Sequence, residues 1–166
     1  MLSKKLIFTG LLLIAGFAVF SVVGCNEGNS EETATAKVAI FPADCVEKEI
    51  ASTDREVKKI VRLSDSSQKV VGYRVEMQVT SRSGPFDIMV ALNSKACVLD
   101  ATVLKYKAKR GKQIRSEKFT KQFTGKCPSS TVELGIDIDA ISKATLSSKS
   151  MTEGVKKAII LINKML

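Results

Sequence analysis

The chain lacks histidine and tryptophan altogether, and its four cysteines include no Cys-x-x-Cys pair. A protein without histidine cannot hold a His-ligated zinc ion or use a Ser-His-Asp or Cys-His catalytic pair. The cysteine spacing likewise excludes the attachment of a c-type haem. These absences remove several common classes of enzyme and metalloprotein from consideration.

The N-terminus has the pattern of an export signal. Lys4 and Lys5 precede an uncharged apolar run over residues 6–23, which ends in Val22-Val23-Gly24-Cys25. A basic start, an apolar core and small residues before a cleavage site are typical of a secretory signal peptide. The cysteine after Val-Val-Gly resembles a bacterial lipobox, in which acylated Cys25 becomes the new N-terminus. The alternative is an uncleaved signal anchor, because the apolar run is near the lower limit for a membrane span.

Both interpretations predict that the chain beyond residue 25 lies outside the cytoplasm, anchored to a membrane on the periplasmic side or at the cell surface. We expect a signal peptide over 1–24, lipidated Cys25 with a flexible polar tether over 25–36, and one folded domain over 37–166. Removal of the signal takes away two lysines, so the formal charge falls from +9 to about +7. An exported basic domain is expected to meet an acidic protein, anionic lipid or an anionic ligand rather than nucleic acid, or simply to have a solvated basic face.

With Cys25 acylated, three cysteines remain: Cys45, Cys97 and Cys127. An exported chain can therefore form at most one internal disulfide, and the sequence leaves its pairing open. A buried free thiol is an equal alternative for Cys97, which lies in an apolar segment.

Hydrophobic periodicity predicts a single α+β domain. Alternation of apolar and polar residues over 71–80 indicates a half-buried strand, and two further strands are expected over 86–92 and 97–106. Short links between them predict an antiparallel meander with one face packed on helices. Capping-box spacings predict short helices over 45–51 and 54–63 and a last helix from Ser150 to about Lys164. A short helix over 116–123 and an extended piece over 132–138 complete the prediction.

The most specific motif precedes the last helix. Residues 139–148 read D-A-I-S-K-A-T-L-S-S, which resembles the flavin attachment signature D-x-x-S-G-A-T-x-S-S of the FMN-binding domain family. The resemblance implies that Thr145 carries FMN through a phosphoester and that a separate flavin transferase places it there. It also implies a flavin site formed by the other signature residues: Asp139, Ser142, Lys143, Ala144, Leu146, Ser147 and Ser148. The nearby helix N-terminus would favour the phosphate, helped by the hydroxyls of Ser147 and Ser148.

Other segments resemble the same family in the same order along the chain. They are F-P-A-D at 41–44, V-G-Y at 71–73, G-P-F-D-I-M-V-A-L at 84–92 and F-T-K-Q-F-T-G-K at 119–126. Similar domains include the periplasmic flavin subunits of the Rnf and sodium-pumping NADH:quinone reductase complexes, and small lipoproteins of extracytoplasmic electron transfer. The resemblance implies an electron carrier without catalytic residues of its own, with redox proteins or a membrane complex as partners.

Two departures from the family pattern qualify this interpretation. Lys143 replaces the glycine of S-G-A-T, which would strain the turn by about 1–2 kcal/mol if that position has positive φ, yet would place a cation beside the phosphate. The segment 106–111 (Y-K-A-K-R-G) stands where many members carry a glutamate near a glycine pair. The alternative function is therefore a membrane-anchored lipoprotein that keeps the fold and binds without flavin. A weaker alternative, an FMN-dependent reductase, is disfavoured by the lack of histidine and of paired carboxylates.

The remaining charged features have less specific interpretations. Residues 105–126 contain nine basic residues and the single acid Glu117. They could steer an acidic redox partner or form a solvated surface. Asp137 and Asp139 have no further ligand run nearby, so no metal is predicted, and Asp139 is expected to hold the signature loop.

Overall fold

The computed structural model describes residues 40–107 and 110–166. The predicted signal peptide, Cys25 and the tether lie outside the described residues. Among the residues that are described, no helix is long and apolar enough to span a bilayer.

Five strands form one antiparallel sheet in which neighbours in sequence are neighbours in space. The strands are β1 (Val46–Ile50), β2 (Val57–Ser64), β3 (Val70–Ser81), β4 (Gly84–Asn93) and β5 (Val98–Tyr106). In β3 the alternating residues Tyr73, Val75, Met77 and Val79 are buried in the core. The prediction of an α+β domain built on an antiparallel meander is confirmed.

Two α-helices complete the domain: α1 (Glu117–Thr120) and α2 (Thr145–Asn163). A 3-10 turn, Lys112–Arg115, precedes α1, and another, Lys121–Phe123, follows it. Phe119 and Phe123 are fully buried and meet edge to face, with ring centroids 5.3 Å apart. The prediction of a short helix with both phenylalanines in the core is confirmed.

Helix α2 packs its apolar side on β3 and β4, and the buried residues of that side include Val155, Ala158, Ile159 and Ile162. Gly154 brings the helix unusually close to the sheet. A Cβ atom there would lie 2.8 Å from Val79 Cγ2 and 2.9 Å from Ile88 Cδ1. Close approach explains why a residue that weakens helices stands in the middle of this one.

The predicted helices over 45–51 and 54–63 are wrong, because these residues form β1 and β2. Before β2, the chain makes a local turn in place of a helix start, in which the Asp54 carboxylate accepts the Glu56 N–H at 3.1 Å. Val57, Ile60 and Val61 are β-branched and pair with residues of β3, with a register shift between Val57 and Lys59. Cross-strand pairing of such residues outweighs a local capping signal.

Two boundaries in the last third of the chain also differ from expectation. The predicted extended piece over 132–138 is mostly turn, with one isolated bridge between Leu134 and Ile138. Helix α2 begins at Thr145 rather than near Ser150, and its first turn closes when the Ser148 N–H donates to the Ala144 carbonyl at 2.8 Å. Ser150 and Glu153 therefore lie inside the helix, where the same spacing occurs without capping it.

A disulfide joins Cys97 to Cys127 and fixes the loop after α1 to the start of β5. Backbone bonds from Val98 N–H to Lys126 O and from Gly125 N–H to Val98 O, both 2.8 Å, flank it. Cys45 is a free thiol. The pairing that the sequence left open is thus Cys97 with Cys127.

Candidate functional site

The signature residues converge on the first turn of α2. Lys143 takes a left-handed conformation with φ 66°, Ala144 occupies the N-cap, and Thr145 is the first helical residue. No side chain of the described residues caps this end of the helix. The first backbone N–H groups of α2 therefore lack intrahelical partners and carry the positive end of the helix dipole.

A cleft of about 270 Å³ opens at this turn. Thr145 and Leu146 are exposed beside it, and 52% of Leu146 is accessible to solvent. Residues from three separate segments line the cleft: Ser83, Arg110, Gly111, Lys143, Ala144, Thr145, Leu146 and Ser147. The structure therefore brings five of the eight predicted site residues (Lys143, Ala144, Thr145, Leu146 and Ser147) to one cleft.

Ser147 and Ser148 are buried, with 1% and 0% exposure. The Ser147 hydroxyl lies 2.9 Å from the Tyr106 hydroxyl, and Ser148 Oγ accepts the Ile141 N–H at 3.3 Å. Both hydroxyls thus hold the loop and β5 against the helix. Their help to a phosphate stays a prediction.

Asp139 is fastened to the helical segment before it through its backbone. Its N–H donates to Gln122 Oε1 at 2.7 Å, and its carbonyl accepts from Gln122 Nε2 at 3.3 Å. Sequence reasoning does not identify Gln122 as a site residue, although it lies in the F-T-K-Q-F-T-G-K segment at 119–126. Ser142 is exposed in the same loop.

The neighbouring carboxylate, Asp137, forms an ion pair with Lys126 at 2.6 Å and accepts the Glu133 N–H at 2.7 Å. Desolvation would raise the pKa of Asp137, but these two hydrogen bonds outweigh it and lower the pKa. Within the described ranges no group of three or more potential ligands is close enough to hold a metal ion.

Arg110 and Gly111, which follow β5 and lie outside the signature, also line the cleft. Tyr106 donates its hydroxyl proton to the Arg110 carbonyl at 2.6 Å. Gly111 has φ 88°, and a Cβ on it would lie 2.6 Å from Ser147 Oγ. Only glycine fits here, because it both reaches positive φ and lets the backbone approach the serine.

Ser81 and Ser83, at the tight turn between β3 and β4, extend this group of hydroxyls. Their Oγ atoms lie 2.9 Å apart, and they are 3.5 and 3.4 Å from Ser147 Oγ. Sequence reasoning missed them because they are 64 or more residues from Ser147 and carry no motif of their own.

The cleft has the donors that a phosphate group needs. Lys143 and Arg110 supply two positive charges at its walls, and the uncapped first turn of α2 supplies backbone N–H groups. Thr145 adds an exposed hydroxyl at the same turn. The residues present therefore fit the phosphate end of a flavin mononucleotide.

Comparison with known families agrees with this geometry. The family model of the FMN-binding domain matches residues 82–160. That range contains β4, β5, α1, most of α2 and all eight predicted site residues. No curated protein matches the chain.

Proposed function

Because the FMN-binding domain model matches residues 82–160, which supports a role in flavin binding, we propose that this chain is an extracytoplasmic electron carrier. FMN is held covalently, through a phosphoester to Thr145. The protein is anchored to a membrane through lipid on Cys25.

The placement of Thr145 is the observation that carries the proposal. It is the exposed first residue of an uncapped helix and borders the cationic cleft. Ser147 and Ser148, the other hydroxyl residues of this turn, are buried and bonded within the protein. Thr145 is thus the hydroxyl of the turn that a large transferring enzyme can reach.

Attachment requires no base in this chain. A flavin transferase would present FAD, and a bond forms between Thr145 Oγ and the flavin-side phosphorus. The pyrophosphate bond breaks, AMP leaves, and the hydroxyl proton passes to the transferase or solvent. No histidine is needed near Thr145, which agrees with a chain that has none.

Once the ester exists, the chain's task is to hold and orient the group. Lys143 and the first N–H groups of α2 would offset the charge of the phosphodiester, and exposed Leu146 offers an apolar contact beside it. FMN, when bound, supplies one- and two-electron transfer.

The remaining parts of the proposal concern location and partners. A lipid on Cys25 would keep the carrier at the membrane, on the periplasmic side or at the cell surface, where its partners are a redox protein or a membrane complex. The segment 105–126 supplies the surface for an acidic partner. Lys121 and Lys126 of this segment already pair with Glu117 and Asp137, while Arg110, Lys112, Arg115 and Lys118 are exposed.

The decisive experiment is the intact mass of the full chain extracted from membranes of cells that express a flavin transferase. We expect added masses for lipid and for one FMN, and flavin fluorescence that stays with the denatured polypeptide. Thr145→Ala should lose the flavin completely while the lipid remains. Thr131→Ala, at an exposed threonine outside the cleft, is the matched control and should keep both. Flavin retained by Thr145→Ala would disprove the attachment site.

A second function is favoured by one observation. Lys143 has φ 66° where the family signature has glycine, so the turn is strained and a cation stands at the attachment site. Such a change suits a lipoprotein that keeps the fold as a binding module without flavin. A wild-type chain that carries lipid but no FMN beside an active transferase, with flavin gained by Lys143→Gly, would establish this alternative.

A further inference from the structure

The Tyr106 hydroxyl connects the loop after β5 to the first turn of α2. It donates to the Arg110 carbonyl at 2.6 Å and lies 2.9 Å from Ser147 Oγ. Its ring packs against Phe86, with centroids 5.3 Å apart. The ring is therefore fixed by the sheet, and the hydroxyl is held between the loop and the helix.

Counting protons fixes the direction of these bonds. A tyrosine hydroxyl has one proton, and the shorter bond, to a carbonyl that can only accept, takes it. Ser147 must then be the donor in its bond to Tyr106, so the single proton of the Ser147 hydroxyl is used within the protein. Ser147 consequently has no proton left for an anion in the cleft.

An anion in the cleft therefore depends on the backbone N–H groups of α2, the exposed Thr145 hydroxyl and the two cations, Lys143 and Arg110. Lys143 is part of the signature loop, but Arg110 comes from a different segment and needs its own support. That support is the Tyr106 bond to the Arg110 carbonyl, together with the close approach of Gly111 to Ser147.

We propose that Tyr106 is a positioning residue that holds Arg110 at the cleft, where Arg110 recognises the phosphate of a phosphorylated flavin and separates FMN from riboflavin. The inference rests on the proposed flavin site but not on the covalent bond. In this proposal, the Tyr106–Arg110 pair selects the anionic flavin, FMN, over the neutral one, riboflavin.

The test uses the full chain produced without a flavin transferase, so that the site carries no covalent flavin. Binding of free FMN and of riboflavin is measured separately by quenching of flavin fluorescence. The wild-type protein should bind FMN more tightly than riboflavin. Arg110→Gln should reduce that preference by about two- to fivefold, as expected for a solvent-accessible ion pair, and leave riboflavin binding unchanged.

Tyr106→Phe keeps the ring and removes the hydroxyl. It should reduce the preference for FMN by a similar factor, and the double variant should lose no more than Arg110→Gln alone, because Tyr106 acts through Arg110. Lys112→Gln removes a neighbouring exposed cation that does not line the cleft, and should keep the wild-type preference.

Three results would overturn the inference: a wild-type protein without preference for FMN, a Tyr106→Phe protein that binds both ligands as wild type does, or losses that multiply in the double variant. If instead only the proposed covalent bond to Thr145 is wrong, the results differ from these three. In that case the native protein lacks the added mass of FMN, while the preference for free FMN and its loss in the variants persist.

Discussion

The first turn of α2 and its later turns differ in almost every physical respect. The later turns bury Val155, Ala158, Ile159 and Ile162 against the sheet, at a distance so short that Gly154 has no room for a Cβ. The first turn has no side-chain cap, begins after a lysine with positive φ, and exposes Thr145 and Leu146. The later turns are thus tightly packed. The first turn buries Ser147 and Ser148 but leaves its N-terminal N–H groups uncapped.

This contrast shows how a small domain can support an exposed attachment site. The free energy of packing comes from the later turns, so the first turn can tolerate a strained residue and unpaired N–H groups. If that division is correct, substitutions in the later turns should reduce stability, whereas changes in the first turn should alter the site or even stabilise the domain.

The largest effect is expected for Gly154→Val. The new side chain would overlap Val79 and Ile88, which line the helix–sheet interface, and overpacking of this kind costs about 1–3 kcal/mol in unfolding free energy. Lys149→Val, at an exposed position of the same helix, is the control and should cost only a few tenths of a kcal/mol in helix propensity. Urea denaturation measures the unfolding free energy of both variants. Equal losses would refute the tight packing at Gly154.

Lys143→Gly should act in the opposite direction. The left-handed conformation at φ 66° costs a lysine about 1–2 kcal/mol, and glycine adopts it without that strain. Glycine loses more entropy on folding, so we expect a net gain of about 1 kcal/mol. Lys149→Gly, inside the helix, should instead lose about 1 kcal/mol. Thermal denaturation measures the stability of both variants. A loss of stability in both would show that position 143 is unstrained.

Gln122→Ala tests how the signature loop is held. The side chain makes two hydrogen bonds to the backbone of Asp139, and their removal should lower stability by about 1 kcal/mol. Hydrogen exchange at the Asp139 amide should accelerate more than exchange in the strands, because the bond is local to the loop. Gln113→Ala, at an exposed glutamine of the 3-10 turn, is the control. Uniform acceleration across the domain would mean that Gln122 supports the core rather than the loop.

The sequence predicted those parts of the molecule whose signal is local and repeated. The alternation of apolar and polar residues predicts that β3 buries one of its faces. The spacing of Phe119 and Phe123 likewise predicts a short helix with both rings on its buried face. β1 and β2 could not be predicted, because β1 is defined by pairing with β2 and β2 by pairing with β3, and capping-like spacings suggested helices there. In the site, the contiguous signature could be recognised, but the part of the cleft lined by Ser83 and Arg110, with Tyr106 bonded to the Arg110 carbonyl, requires distant segments to meet.

The smallest effect is expected from the ion pairs that tie α2 to the segment before β2. Lys157 Nζ lies 2.8 Å from Asp54 Oδ2 and 2.6 Å from Glu56 Oε2. The hydrogen bond from Lys157, with a smaller contribution from the Glu56 N–H, lowers the pKa of Asp54. The hydrogen bonds from Lys157 to the Asp54 and Glu56 carboxylates raise the pKa of Lys157.

The sign of the pH dependence follows from these directions. The Asp54 contribution is complete above the pKa of an unfolded aspartate, about 3.9, and is lost as the pH falls through the lower folded value. The Lys157 contribution is complete below about 10.4 and disappears as the pH rises through the higher folded value. Asp54→Asn should therefore flatten the acid limb of a stability–pH curve slightly. Asp44→Asn, at an exposed carboxylate of the preceding segment, should leave it unchanged. An acid limb that Asp54→Asn does not alter would show that solvent screens the Asp54–Lys157 pair completely, so that this pair adds nothing to the packing of the later turns of α2.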